Sequence, residues 1–354
     1  MVTPAGILDD HEVRVEGETI MEIGPCSAEP DVDLLAAGFV DLQVNGHDDV
    51  DVATASDVDW SRLLGRLAGQ GVTSWCPTLI TAPRTVLTER VAAIARRRGA
   101  PGPAVVGVHL EGPFLGRAPG AHSGVEDGPI DIDWLRALAP EVRIVTLGPE
   151  RENATDAVRG LVDVGIVAAL GHTRATADQT TAAIDAGARL FTHAYNASGP
   201  LHHRAPGALG VALTDDRIVI SLIADGVHVD PMMLRLAWRA KPRGGVVLIT
   251  DAVGWHGGRL ADAGVALVDG APRLADGTLA GSALRMDEAV RFCVDVVGVD
   301  LLDALAAASS APAALLGLDD RGVVAPGRRA DLIALDRDLA VVATWIGGQP
   351  AGEG

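Results

Sequence analysis

One rhythm constrains this chain more than any other feature. From about residue 36 to residue 250, short apolar runs alternate with alanine-rich stretches of helical character. The apolar runs cover 38–44, 72–80, 105–110, 144–147, 167–171, 190–194, 218–224 and 246–250. Short apolar runs bounded by turn residues read as buried strands. Between several of them lie helical stretches at 60–68, 86–97, 154–164, 176–186 and 232–240. Eight βα-like units in succession favour an α/β fold, a (β/α)8 TIM-like barrel, over an open sheet.

The flanks follow a different pattern. Residues 6–35 break into short alternating segments such as Glu12-Val13-Arg14-Val15, separated by Gly and Pro, and predict a hairpin or small sheet. After the eighth unit come helical stretches at 286–297 and 301–316, then β-like text at 330–335 and 341–346. β segments at opposite ends of a barrel chain can pair. The expected organisation is therefore a small discontinuous β-sandwich domain built from residues 1–36 and 321–354, enclosing a barrel at 37–320. The amino terminus reads as though one short strand were missing, which predicts a start upstream of Met1.

Composition bounds the setting. No run reaches the 18 or more apolar residues that a membrane helix needs, and Met1-Val2-Thr3-Pro4 does not open a secretion signal. Three cysteines, Cys26, Cys76 and Cys293, give an odd number without close spacing, as in a reduced cytoplasmic protein. A net charge of −18 excludes a general nucleic-acid surface and leaves no membrane or nucleic-acid partner in view. An anionic ligand of such a chain must be captured by a local cluster of Arg and His. Lys241 is the sole lysine.

Ionisable residues gather where the predicted strands end. His109-Leu110-Glu111-Gly112-Pro113, Gly171-His172-Thr173, Thr192-His193-Ala194-Tyr195-Asn196 and Thr250-Asp251-Ala252 each close an apolar run, as does Ala224-Asp225-Gly226-Val227-His228. The carboxyl ends of barrel strands are where active sites are built. One Glu and two His suit a divalent metal with a position left open for water, and an Asp on another strand suits a general base. Taken singly, each feature has a plain alternative. A histidine at a strand end is ordinarily a hydrogen-bonded structural residue, and an Asp opening a turn is ordinarily a cap. Their joint occurrence weighs against those alternatives, because burying several ionisable groups together is costly without a metal or pairing.

These motifs, with Gly38-Phe39-Val40-Asp41-Leu42-Gln43-Val44-Asn45-Gly46, Pro77-Thr78-Leu79-Ile80-Thr81, Leu279-Ala280-Gly281-Ser282 and Gly327-Arg328-Arg329-Ala330-Asp331-Leu332, resemble those of the N-acetylglucosamine-6-phosphate deacetylases, a family of the amidohydrolase superfamily. The likeness runs over nearly the whole chain, and the order of the motifs is what makes it specific. It implies hydrolysis of the acetamide of a phosphorylated amino sugar. Glu111, His172 and His193 would hold one divalent metal ion per subunit, Zn²⁺ foremost, with Fe²⁺ accepted by the same donors. Asp251 would be the catalytic acid/base, and His122 would contact the substrate carbonyl. Many relatives in the superfamily carry His-x-His after the first strand and bind two metals. Gln43-Val44-Asn45 stands there instead, which implies a single metal with Gln43 or Asn45 touching it at most through water. Asn196, Ala197 and His228 match sugar-binding positions. Arg204, in His202-His203-Arg204, matches an arginine that reaches the phosphate in the neighbouring subunit's site, so a homodimer is implied, with His203 beside it. Without the resemblance, that triplet reads as a solvated loop.

Departures from the family pattern lie at Ala205, at His47 and Trp75, and in Val253-Gly254-Trp255-His256-Gly257. They keep N-acetylgalactosamine-6-phosphate open as an alternative substrate. A catalytically silent sugar-phosphate sensor is a second alternative. A cyclic-amide hydrolase is a weaker third one, because it would want a bridging modified lysine and Lys241 lies in a Lys-Pro-Arg-Gly loop.

Overall fold

The computed structural model describes residues 1–26, 31–256, 259–260 and 263–352. Gly257, part of the departure noted above, lies outside them. Eight parallel strands succeed one another along the chain: β1 (Phe39–Asp48), β2 (Val72–Ile80), β3 (Val108–Glu111), β4 (Val142–Leu147), β5 (Val167–Leu170), β6 (Leu190–Phe191), β7 (Val219–Leu222) and β8 (Val246–Leu248). Each lies beside its predecessor in one sheet. Just past β8 the chain continues as Ala252–Gly254, which pairs in parallel with β1 through Ala252 and Val44. The sheet thereby curls until its last strand meets its first, as a (β/α)8 barrel requires.

Burial explains why these segments are strands. Every residue of β2 is buried, as expected of a parallel strand covered on both faces. In β1 the side-chain period of two separates Val40, Leu42 and Val44, which join the apolar core, from Asp41, Gln43 and Asn45, which are buried yet polar. Helix Asp57–Ala68 starts at a capping box between Ser56 and Asp59 and buries Trp60, Leu63, Leu64 and Leu67 on one stripe.

Two predicted helices are revised. The stretch 301–316 is two helices, Leu301–Ala308 and Ser310–Leu315. Pro312 lacks the N–H that would carry one helix through, and fits the first turn of a new one. The stretch 286–297 is helical but changes pitch: Met286–Phe292 is α and Cys293–Val297 is π, ended by Gly298 at a φ of 80°.

The chain ends meet. Leu34–Ala37 pairs antiparallel with Leu332–Leu335, within a four-stranded sheet completed by Val341–Ile346 and Gln349–Pro350. The hairpin His11–Glu16/Thr19–Pro25 shares an apolar cluster with this sheet, in which Ile20, Val13 and Val15 meet Leu332, Ala330 and Trp345. Among the described residues, no helix is long and apolar enough to cross a membrane.

Candidate metal centre and active site

Glu111 closes β3, His172 and His193 follow β5 and β6, and Asp251 sits between β8 and its continuation. Their side chains converge from four strand ends. The backbone bends to achieve this: His172, His193 and Asp251 have φ of 50°, 30° and 49°, a region that costs a non-glycine residue about 1–3 kcal/mol. Glu111 Oε1 lies 2.9 Å from His193 Nε2 and 3.0 Å from His172 Nε2, and the two imidazole nitrogens are 3.1 Å apart. All three residues are buried.

Hydrogen-bond geometry says what belongs at the centre of that triangle. His172 Nδ1 faces two carbonyl oxygens, Ala118 O at 3.2 Å and Pro119 O at 3.1 Å, and therefore carries the proton. A neutral imidazole held this way turns a bare Nε2 toward a carboxylate oxygen and a second imidazole. Acceptors facing one another in a buried site are costly unless a proton or a cation lies between them. Two imidazole nitrogens and one carboxylate oxygen are a donor set for a divalent metal ion, and they leave one position of a tetrahedron open.

Burial and neighbouring charge act on these groups in opposite senses. Burial works to raise Glu111, but His122, His172 and His193 together hold it well below the usual carboxylate range. Burial pushes His172 down to about 4. Burial also works to lower His193, yet the bond and charge of Glu111 outweigh it and leave that imidazole raised.

Asp251 occupies a different environment. Burial, then the charge of Glu111, raise it to about 8 against opposing bonds from Asn45 and Gln43. Its Oδ1 accepts from Asn45 Nδ2 at 2.8 Å and from Gln43 Nε2 at 3.0 Å. The same Gln43 nitrogen donates to Glu111 Oε1 at 3.0 Å. The two amides are thereby committed as donors to the carboxylates.

His122 approaches from a loop. Its Nε2 is 3.5 Å from Glu111 Oε2, and its Nδ1 is 3.0 Å from Thr81 Oγ1. The donors of Glu111, His122 and His172 also lie within 4.8 Å of one another, so two triads share Glu111 and His172. The one completed by His193 has edges of only 2.9–3.1 Å, and His122 stands farther out.

A cavity of about 390 Å³ opens over these groups, lined also by Asn45, Asn196, Ala197, His228, Arg273 and Leu279. His228 is set by Asp225, whose Oδ2 lies 2.6 Å from its Nδ1. His203 and Arg204 are not among the residues that line it. They lie on an exposed loop, with Arg204 Nη1 2.7 Å from His203 Nε2. Sequence reasoning gave no role to Thr81 or Arg273. The motif at 77–81 contains Thr81 without marking its hydroxyl, and Arg273 lies in a hairpin outside the strand–helix rhythm.

Residues 34–351 match the amidohydrolase family. The chain belongs to that family. This amidohydrolase is 41% identical to the N-acetylgalactosamine-6-phosphate deacetylase of Escherichia coli O157:H7, over 99% of the chain and 97% of that protein. It is also 41% identical to the N-acetylglucosamine-6-phosphate deacetylase of Bos taurus, over 89% of the chain and 83% of that protein. Among solved structures it is similar to a mutant N-acetyl-D-glucosamine-6-phosphate deacetylase from Mycobacterium smegmatis in complex with N-acetyl-D-glucosamine-6-phosphate. There the TM-score is 0.88 at 34% identity, covering 96% of this chain and 94% of that one. The expected barrel and the family likeness are both borne out.

Proposed function

We propose that this amidohydrolase removes the acetyl group of N-acetylglucosamine-6-phosphate, giving acetate and glucosamine-6-phosphate. The observation that carries the reading is the triangle of Glu111, His172 and His193 with Asp251 held beside it by Gln43 and Asn45. Those three would hold one divalent ion, Zn²⁺ foremost and Fe²⁺ by the same donors. Once bound, the ion would acidify water and polarise the amide carbonyl.

The remaining chemistry belongs to side chains. Asp251 takes a proton from the attacking water and later delivers it to the departing sugar nitrogen as the C–N bond breaks. A carboxyl raised toward neutrality is suited to both transfers. His122, backed by Thr81, donates to the oxyanion on the former carbonyl carbon, a contribution of roughly 2.7–4 kcal/mol for one such donor. Asn196, Ala197 and His228 would hold the sugar. Arg204, with His203 beside it on an exposed loop outside its own chain's cavity, would bind the phosphate in the partner subunit of a homodimer. A cytoplasmic setting is supported by the buried, unbridged thiols of Cys76 and Cys293, which stay reduced there.

N-acetylgalactosamine-6-phosphate is the second reading, favoured by the 99% coverage of the Escherichia coli relative. Acetate release from both sugar phosphates by metal-analysed protein decides between them. A higher kcat/KM for the galacto substrate reverses the assignment, and binding of both without release leaves a sensor. For Asp251→Asn we expect retained metal and a kcat lower by roughly 10²–10⁴-fold. Near-normal turnover with metal in place would reject the acid/base role.

A further inference from the structure

We propose that Arg273 is an anion-binding residue of the active-site cavity, supplied by the same chain that supplies Asp251, and that it contacts the phosphate of the substrate. The proposal rests on the sugar-phosphate reading above. Among the described residues lining the cavity, Arg273 is the only guanidinium or ammonium, and it shares the wall with the carboxylates of Glu111 and Asp251. A chain of net charge −18 repels a phosphate dianion at long range, so capture depends on cations within contact distance.

The position of Arg273 is fixed by its hairpin. Ala266–Val268 and Ala271–Arg273 pair antiparallel across Asp269 and Gly270, whose φ values are 50° and 79°, as a two-residue turn with two positive φ requires. Arg273 then bridges Leu279, while the next residue, Leu274, packs against the cluster of Ile80, Val253, Val265 and Ala280. One guanidinium nitrogen, Nη1, donates to Gly277 O at 2.9 Å. Arginine has five N–H donors, so most of the fork is available, and its plane matches two phosphate oxygens.

Charge bookkeeping isolates this residue further. Arg285 is answered by Asp287 at 3.0 Å, but no described carboxylate forms an ion pair with Arg273 within 4.0 Å. Asn196 adds a second signal. Its Nδ2 is buried with no described partner, and the residue lines the same cavity, so a donor there awaits an acceptor oxygen.

Arg273→Gln in the metal-loaded enzyme is expected to raise KM for N-acetylglucosamine-6-phosphate about tenfold to a hundredfold, with kcat little changed. Cleavage of unphosphorylated N-acetylglucosamine should be unaffected. Arg273→Lys, which keeps charge but loses the fork, should fall between wild type and Arg273→Gln. Equal losses on both sugars, or no loss on either, would overturn the proposal. Mixing tests the same-chain claim: Arg273→Gln combined with Asp251→Asn should show only the activity of its Arg273→Gln subunits, and any rise above that overturns it. If wild type cleaves neither sugar phosphate, the substrate reading fails on its own. Calorimetric binding of glucose 6-phosphate then still decides the anion site, which stands if Arg273→Gln abolishes binding and falls if affinity is unchanged.

Discussion

Gln43 donates from one amide nitrogen to two carboxylates, Glu111 Oε1 and Asp251 Oδ1, at 3.0 Å each. Two buried acids this close repel, which is part of why Asp251 is raised. The amide offsets that repulsion and fixes the rotamer of both acids, so it acts on metal affinity and on proton transfer together. Gln43→Leu is therefore expected to lower metal affinity or kcat by about 10–100-fold, the usual cost of losing a partner behind a metal ligand. Metal titration alongside turnover checks this, and unchanged values in both would remove Gln43 from the centre. Glu111, His172, His193 and Asp251 were legible in the sequence because each is an ionisable residue closing an apolar run, where burial without a partner would be costly. The work of Gln43 was not, since a glutamine inside a strand signals nothing until the barrel brings residues 43, 111 and 251 together.

At the scale of elements, the barrel strands were legible from their apolar runs, whereas their ends were not. The run 190–194 forms strand only at Leu190–Phe191, because His193 leaves the extended region at a φ of 30°. The hairpin carrying Arg273 escaped notice because Ala266–Val268 is exposed throughout, which leaves no alternation to read. The seam where β8 meets β1 depends on Asp41, a residue the sequence marked only as part of a motif. Asp41 accepts from Thr250 Oγ1 at 2.6 Å, from Thr250 N at 3.3 Å and from Gln43 N at 3.2 Å. Burial, opposed by those bonds, raises its carboxyl from 3.8 to about 7. Between about pH 4 and pH 7 the folded chain keeps a proton there that the unfolded chain has released. The stability contribution is thus complete below pH 4 and is lost as pH rises through 7. Asp51 and Asp251, raised to about 6 and about 8, act in the same direction. His47, His109 and His172, each lowered to about 4 by burial, act in the opposite direction below about pH 6.5. The Asp41 contribution is therefore read as a difference: in urea unfolding of metal-free protein from pH 5 to 8, Asp41→Asn should lose less stability with rising pH than the unsubstituted chain. Parallel profiles for the two proteins would mean that Asp41 is ionised throughout.

The whole molecule sets the field in which the site works. One barrel core, closed by pairing residues 252–254 with β1, carries all the ionisable groups of the site at one end. The paired chain ends form a separate apolar cluster, and the cavity's lining residues all come from the barrel and its loops. The net charge of −18 belongs to the chain as a whole, so its effect on an anionic substrate is long-range and screened by salt. The contacts expected from Arg273 and Arg204 are short-range, and a partly enclosed cavity shields them from screening. The Debye length falls from about 30 Å at 0.01 M to about 10 Å at 0.1 M ionic strength. Adding salt over that range should therefore weaken the repulsion more than it weakens capture. For the phosphorylated sugar, kcat/KM is expected to rise a few-fold, while cleavage of the unphosphorylated sugar stays flat. That is the reverse of ordinary electrostatic steering, in which salt slows association. A fall with salt would show that the cations near the cavity, and not the acidic surface, govern the potential an approaching phosphate meets.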